Sequence, residues 1–246
     1  MSAFARYAGM SCVLLGASVP AARAIEWRYG QAAARRFVAG MGGALVTQDA
    51  LVGLAVWESR DRGSSCRKHS LTLVDLLTLS RGGAAALLTG MITSGIRDRG
   101  GLAGWMGWLA LLYGAVLCDW LDGPMARHLG TSELGALLDL EADSWLTLCV
   151  AASAVTWGDL PPSVMMPPAL RYIFLFEALP TIPYSELHAD QPGWVRHLGI
   201  AQMLLFIAAL APFGGRATRF AVRWALPIVT PLQVGGQVLQ WRRRRG

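Results

Sequence analysis

Six long apolar segments dominate the chain between residues 70 and 240. They cover residues 71–92, 102–121, 134–157, 163–180, 194–213 and 219–240. A helix needs roughly 20 apolar residues to cross the hydrocarbon core of a bilayer, and each segment has about this length. The intervals between them are short and rich in glycine, proline or charge. The sequence therefore predicts an all-α polytopic membrane protein, built as a bundle of six transmembrane helices.

The composition excludes two other classes of protein. Hydrophobic residues make up 54% of the chain and charged residues 15%. Disordered chains need low hydrophobicity and high charge, and soluble domains carry about 25% charged residues. The formal net charge of +6 comes largely from arginines beside the apolar segments. This placement favours anionic lipid headgroups as partners and gives no indication of nucleic-acid binding.

The first 69 residues are less regular, and their function is not predicted. Residues 1–23 weakly resemble a cleaved signal peptide. Residues 37–57 contain glycines, a glutamine and an aspartate, so they fit either a membrane-surface helix or a poor span. Residues 58–69 are charged and read as a linker. We therefore divide the chain into an N-terminal segment that could associate with the membrane (1–69), a membrane domain (70–241) and a basic tail (242–246).

The basic residues orient the predicted spans. With six spans, one side receives the larger group, which consists of Arg60, Arg62, Arg67, Lys68, Arg127 and Arg242 to Arg245. The other side receives Arg97, Arg99, Arg216 and Arg219. Because basic residues are enriched on the cytoplasmic side of membrane proteins, the first group is predicted to face the cytoplasm. The connection between the second and third spans then also faces the cytoplasm.

Two pairs of aspartates flank this connection. Asp119 and Asp122 end the second span, and Asp139 and Asp143 begin the third. Spacings of three and four residues place side chains on one face of a helix. Since the connecting segment is short, the two helices are predicted to form an antiparallel hairpin in which the pairs face each other.

Four facing carboxylates would repel each other strongly without a compensating charge. A divalent cation supplies that charge, and oxygen-only ligands suit Mg²⁺, Mn²⁺ or Ca²⁺. The neighbouring residues fit a diphosphate. Gly123 and Gly135 leave room beside the backbone, Ala126 permits close helix approach, and Arg127 offers a planar fork of donors. Ser132 could donate to a phosphate oxygen or could instead cap the third span.

These residues resemble the signature of the CDP-alcohol phosphotransferase family, D-x2-D-G-x2-A-R followed by G-x3-D-x3-D. All eight fixed positions match in type, and they are Asp119, Asp122, Gly123, Ala126, Arg127, Gly135, Asp139 and Asp143. The connector 128–134 has seven residues, one fewer than is usual in the family. The resemblance is strongest over 119–143, extends loosely over the six spans, and leaves residues 1–69 uncovered.

The resemblance implies an integral membrane homodimer with an active site facing the cytoplasm. The implied reaction moves a phosphatidyl-type group from a CDP-linked lipid to an alcohol acceptor and releases CMP. The cofactor is expected to be Mg²⁺ or Mn²⁺, as two ions. By position, the four aspartates become the metal ligands and Asp143 also the general base, with Gly123 and Arg127 as contacts to the nucleotide diphosphate.

The first predicted span adds a looser likeness, because the family often lines its nucleotide site with a polar-Leu-x-Thr-x-x-Arg pattern there. Asp75, Thr78 and Arg81 fit this pattern loosely. Asp75 and Arg81 could instead bond within their own helix or extend to the membrane surface.

The acceptor site is less defined. Arg171 and Arg196 lie in later spans and would favour an acceptor that carries phosphate, but they could also extend to the membrane surface or pair with Glu177. Two other functions compete with the transferase. A membrane prenyltransferase also binds diphosphate through Mg²⁺ and aspartates, but it has separated Asp-rich motifs. A cation transporter would place its acidic site near the middle of the bilayer.

Overall fold

The computed structural model describes residues 3–61, 73–129, 133–178, 193–211 and 215–245. All the regular structure in these ranges is helical. The α-helices are α1 (Ala3–Tyr29), α2 (Gln31–Asp61), α3 (Leu73–Ser94), α4 (Ile96–Leu129), α5 (Glu133–Thr156), α6 (Met166–Ala178), α7 (Gly193–Leu210) and α8 (Arg216–Arg245). A short 3-10 helix, Pro162–Met165, precedes α6. The predicted all-α class is confirmed.

Each of the six predicted spans coincides with one helix from α3 to α8, within a few residues at most ends. Among the described residues, two stretches are long and apolar enough to cross a membrane, namely Gly100–Cys118 of α4 and Gly193–Leu210 of α7. The first begins next to Gly101, where the backbone dihedrals of α4 leave the helical range. The arrangement of six transmembrane helices stays a prediction.

The chain divides into two compact units, Met1–Cys149 and Val150–Gly246. In the first unit, α1 packs on α2, α2 on α3, and α3 on α4. The N-terminal segment, which the sequence left undefined, therefore forms two helices that pack in the same unit as α3. The helix α2 continues to Asp61, so the first four residues of the predicted linker are helical. The predicted boundary at residues 69/70 lies outside the described residues and stays a prediction.

A buried apolar cluster in the first unit joins residues of α1, α2, α3 and α4. Buried side chains of α2 dominate it, and Ala86 of α3 and Ile96 of α4 complete the cluster. The α2 members are Ala33, Ala34, Phe37, Met41, Ala44 and Leu45. Trp145 of α5 packs against the same cluster. The N-terminal helices thus support the face of α3 that they cover.

Glycines let α2 and α3 approach closely. A Cβ atom at Gly90 of α3 would lie 2.9 Å from the carbonyl oxygen of Phe37 in α2. A Cβ atom at Gly82 would overlap the side-chain amide of Gln48. Thr93 of α3 adds a hydrogen bond, its hydroxyl donating to the carbonyl oxygen of Arg36 at 2.9 Å. Small residues and hydroxyl bonds of this kind are typical of helix pairs in membranes.

Two glycines with positive φ separate the first helices. Gly30, with φ of 88°, ends α1, and its amide donates to the carbonyl oxygen of Glu26 at 2.9 Å. Gly95, with φ of 69°, ends α3 in the same manner through the carbonyl oxygen of Ile92. Glycine adopts this left-handed conformation without steric cost. Each one allows the chain to reverse within a single residue, which brings consecutive helices side by side.

The second unit is organised around α8, on which α6 and α7 pack. The rings of Phe174 (α6) and Trp241 (α8) stack with centroids 5.2 Å apart. The buried amide of Gln202 in α7 donates to the carbonyl oxygen of Val164 in the 3-10 helix at 3.2 Å. These contacts join the 3-10 helix, α6, α7 and α8.

Candidate active site on α3 and α5

Asp139 and Asp143 lie one helical turn apart near the start of α5. Their side chains are 46% and 47% exposed. Both carboxylates accept hydrogen bonds from the same side chain, Arg81 of α3. The two aspartates therefore share one face of α5, as their spacing of four residues predicts.

Arg81 is fully buried, with 0% of its side chain exposed. Its Nη1 donates to Oδ1 of Asp143 at 2.7 Å, and its Nη2 donates to Oδ1 of Asp139. The guanidinium thus spreads its fork over both carboxylates and joins α3 to α5. Because Arg81 is buried and bonded to α5, its side chain does not extend to the membrane surface.

The electrostatics of this triad are asymmetric. A buried guanidinium is tolerated when it is paired, and removing its partners typically costs about 3–5 kcal/mol. Here one positive charge faces two negative charges, so the triad carries a formal charge of −1 when both carboxylates are ionised. The arginine lies on the buried side, and the half-exposed side of the carboxylates remains accessible to a ligand.

Threonines of α3 and α5 lie near the triad. The hydroxyl of Thr147 donates to the carbonyl oxygen of Asp143 at 2.7 Å. Further along, the hydroxyl of Thr89 in α3 lies 3.2 Å from Sγ of Cys149 in α5. Thr78, one turn before Arg81, is buried. Asp75 lies in the first turn of α3, and its side chain is outside the described part of the structure.

Sequence analysis missed one acidic side chain in this region. Glu141 lies between the two aspartates in sequence and is 4% exposed. Its position inside a predicted span was the available signal, because an ionisable residue in an apolar segment marks a functional position by default. The signature does not include this position, and its separation of two residues from each aspartate places it on a different face of α5.

The other predicted ligands belong to α4 and to the connector. The backbone of α4 is helical through Leu129. The surroundings of Asp119, Asp122, Gly123, Ala126 and Arg127 lie outside the described part of the structure. Ser132 falls in the gap at 130–132, and the surroundings of Gly135 in α5 are likewise not described. The meeting of the two aspartate pairs in a hairpin therefore stays a prediction. Among the residues that the structure describes, no three acidic, histidine or cysteine side chains form a group that could hold a metal.

The predicted acceptor residues both lie in the second unit. Arg171 of α6 is partly buried, and Arg196 near the start of α7 is exposed. This unit also contains a cavity of about 1030 Å³, which sequence analysis did not foresee. Apolar side chains of α8 and of the segment before α6 form most of its lining, with Asp159, Ser163, Arg223 and Thr230 as polar members.

Comparison with known proteins adds one finding. A family model described as CDP-alcohol phosphatidyltransferase matches residues 71–233, well over half of the chain. The match begins just before α3 and ends within α8, so it includes Arg81, Asp139 and Asp143 and leaves out α1 and α2. No curated protein and no solved structure matches the chain.

Proposed function

The chain belongs to the CDP-alcohol phosphatidyltransferase family, and from this premise we propose that it moves a phosphatidyl-type group from a CDP-linked lipid, such as CDP-diacylglycerol, to an alcohol acceptor. CMP is the second product, and the reaction serves phospholipid biosynthesis. The observation that carries the proposal is the triad of Arg81, Asp139 and Asp143, in which one face of α5 presents two carboxylates. These carboxylates are the second half of the family signature.

The donor set fits a hard divalent cation. Arg81 contacts Asp139 and Asp143 from the buried side, and both side chains stay about half exposed, so a cation could reach them from the exposed side. Their oxygens are the ligands that Mg²⁺ and Mn²⁺ prefer. We propose that Asp119 and Asp122 complete the ligand set for two such ions. When bound, the cations neutralise charge on the diphosphate and on the CMP leaving group.

Asp143 is proposed as the general base. Because it pairs with Arg81, its carboxylate is in the charged form that accepts a proton, and its half-exposed side chain can be reached by an alcohol. The alcohol oxygen attacks the phosphorus that bears the lipid and transfers its proton to Asp143. The bond from that phosphorus to the CMP oxygen breaks, and CMP leaves with the electron pair. Asp143 then returns its proton to solvent.

Residues around the carboxylates have proposed roles in binding. Gly123 and Arg127 contact the nucleotide diphosphate, aided by Ala126, Ser132 and Gly135. Asp75 and Thr78 line the nucleotide site from α3. Arg171 and Arg196 bind the acceptor, which favours an alcohol that carries phosphate, such as glycerol 3-phosphate or an inositol phosphate. The proposed enzyme is a multi-pass homodimer whose site faces the cytoplasm.

A transfer assay on purified protein tests this proposal. CDP-diacylglycerol is supplied with Mg²⁺ or Mn²⁺, and CMP release is measured with glycerol 3-phosphate, inositol phosphate, inositol, serine or choline as acceptor. We expect CMP release that requires both the metal and one acceptor class, with a phosphate-bearing acceptor the most effective. Absence of CMP release with every acceptor, under conditions where the protein is folded, would contradict the proposal. Consumption of a prenyl diphosphate instead would identify a prenyltransferase.

A further inference from the structure

We infer that Arg81 is a built-in counter-ion, which holds Asp139 and Asp143 together before a divalent cation arrives and then opposes that cation from behind. The inference rests on the proposed function in one respect, the role of these two carboxylates as metal ligands. It assigns Arg81 a positioning role toward the metal site, which differs from lining the nucleotide site.

The burial of the three side chains supports simultaneous occupancy. Arg81 has no exposed surface, and the two aspartates are about half exposed. The arginine therefore reaches the carboxylates from the protein interior, and a cation would reach them from the opposite, open side. The exposed half of each aspartate is the part that a ligand could reach, because Arg81 itself has no exposed surface.

The position of Arg81 in α3 makes it a fixed charge. Thr78 and Gly82 beside it are buried, and α3 is clamped to α2 by the close contact at Gly90. A fully buried guanidinium that leaves its two carboxylates would have to surrender both ion pairs without access to water. Arg81 therefore remains in place when the site is loaded.

The charges determine the consequences. Without Arg81, two carboxylates one turn apart would repel each other in the metal-free protein. With Arg81, that repulsion is offset. A cation held by the same two carboxylates would in turn be repelled by the guanidinium that contacts them. This fixed positive charge is expected to weaken binding of a divalent cation by at least about tenfold.

The test compares three variants in detergent: Arg81→Gln, which removes the charge and keeps much of the length; Arg81→Lys, which keeps the charge; and Arg35→Gln, a matched control at an exposed arginine of α2. Binding of Mn²⁺ alone, without nucleotide, is measured by the paramagnetic resonance signal of the free ion. Thermal unfolding is followed with chelator and with saturating Mn²⁺.

We expect Arg81→Gln to bind Mn²⁺ at least about tenfold more tightly than the wild type. The affinity of Arg81→Lys for Mn²⁺ should stay within about threefold of the wild-type affinity. With chelator, Arg81→Gln should unfold several degrees below the wild type. Because a ligand stabilises a protein more when it binds more tightly, saturating Mn²⁺ should raise its unfolding temperature by more than it raises that of the wild type. Arg35→Gln should match the wild type in both measurements.

Three outcomes would overturn the inference. The first is equal or weaker Mn²⁺ binding by Arg81→Gln while the wild type binds Mn²⁺ and releases CMP, which leaves the proposed function intact. The second is unfolding of Arg81→Gln with and without Mn²⁺, which makes Arg81 purely structural. The third is absence of Mn²⁺ binding in every variant, which also removes the metal site from the proposed function. If Arg81→Gln binds Mn²⁺ as the wild type does but binds CMP more weakly, the first outcome applies. Arg81 would then be assigned to the nucleotide site.

Discussion

The two sides of α3 are built on different principles. Arg81 and Gly82 are adjacent in sequence and point about 100° apart around the helix. Arg81 extends to the carboxylates of α5, whereas Gly82 has no side chain and lies against Gln48 of α2. One side holds its neighbour at a distance through a long charged side chain, and the other brings the backbones together through the absence of side chains.

This difference separates what the family shares from what supports it in this chain. The family match begins at residue 71, so the charged side joins two helices within the match, and the glycine side joins α3 to a helix outside it. The proposed chemistry therefore involves a helix that also packs against the N-terminal segment. Damage to the two sides should accordingly be distinguishable: loss of turnover on one side and loss of stability on the other.

The charged side is broken most completely by Asp143→Asn. Loss of a general base is expected to reduce turnover by about 10²–10⁴-fold, because the amide cannot take the alcohol proton. Nucleotide affinity should be largely retained. An isotope-labelled transfer assay and a CMP-binding measurement check the two halves of this prediction, with Glu26→Gln at an exposed position of α1 as control. Turnover by Asp143→Asn at the wild-type rate would refute the base assignment.

The glycine side is broken by Gly90→Leu. A side chain there would press its Cβ against the carbonyl oxygen of Phe37, and overpacking of this kind costs about 1–3 kcal/mol. We expect a clearly lower unfolding temperature, measured in detergent. Gly43→Leu in α2 is the matched control, since a Cβ at Gly43 has no atom within 4 Å. Equal unfolding temperatures for the two variants would show that α2 and α3 do not require close approach.

Thr93→Val sharpens the description of the glycine side and has the smallest expected effect. Valine has nearly the shape of threonine but has no hydroxyl to donate to the carbonyl oxygen of Arg36 at 2.9 Å, or to those of Thr89 and Gly90 in its own helix at 3.0 Å. Loss of one such bond costs about 0.5–1.5 kcal/mol. Thr47→Val is the control, because the Thr47 hydroxyl donates to Gly43 of its own helix. Similar thermal stability for both variants would mean that the bond between helices adds nothing beyond packing.

The length of the apolar segments was sufficient to predict the helices from α3 to α8. A segment in lipid must satisfy its backbone hydrogen bonds internally, and a helix does so within one segment. The first two helices were harder to recognise. Gln48 and Asp49 interrupt the apolar pattern of α2, yet both serve contacts between helices. Gln48 is buried against Gly82, and Asp49 accepts a hydrogen bond from Ser11 of α1 at 2.7 Å. The polar residues that obscured the helix are part of its packing.

The candidate site could be predicted from the sequence only in part. The spacing of Asp139 and Asp143 was enough to place them on one face, because that relation is local to one helix. The partner of Arg81 was not predictable, since 58 and 62 residues separate it from the two aspartates. Only the tertiary structure, in which α3 lies near α5, brings these charges together. The sequence pattern around Arg81 indicated a role in the site but did not distinguish nucleotide from carboxylate as its partner.

The two-sidedness of α3 also constrains how this helix can change in evolution. One residue inserted between Gly82 and Gly90 would turn everything after it by about 100°. Gly90 would leave Phe37, Thr93 would leave Arg36, and Thr89 would turn away from Cys149, although every original amino acid would still be present. The number of residues between Arg81 and the final turn of α3 is therefore constrained more strictly than the residue types on the outer surface of this helix.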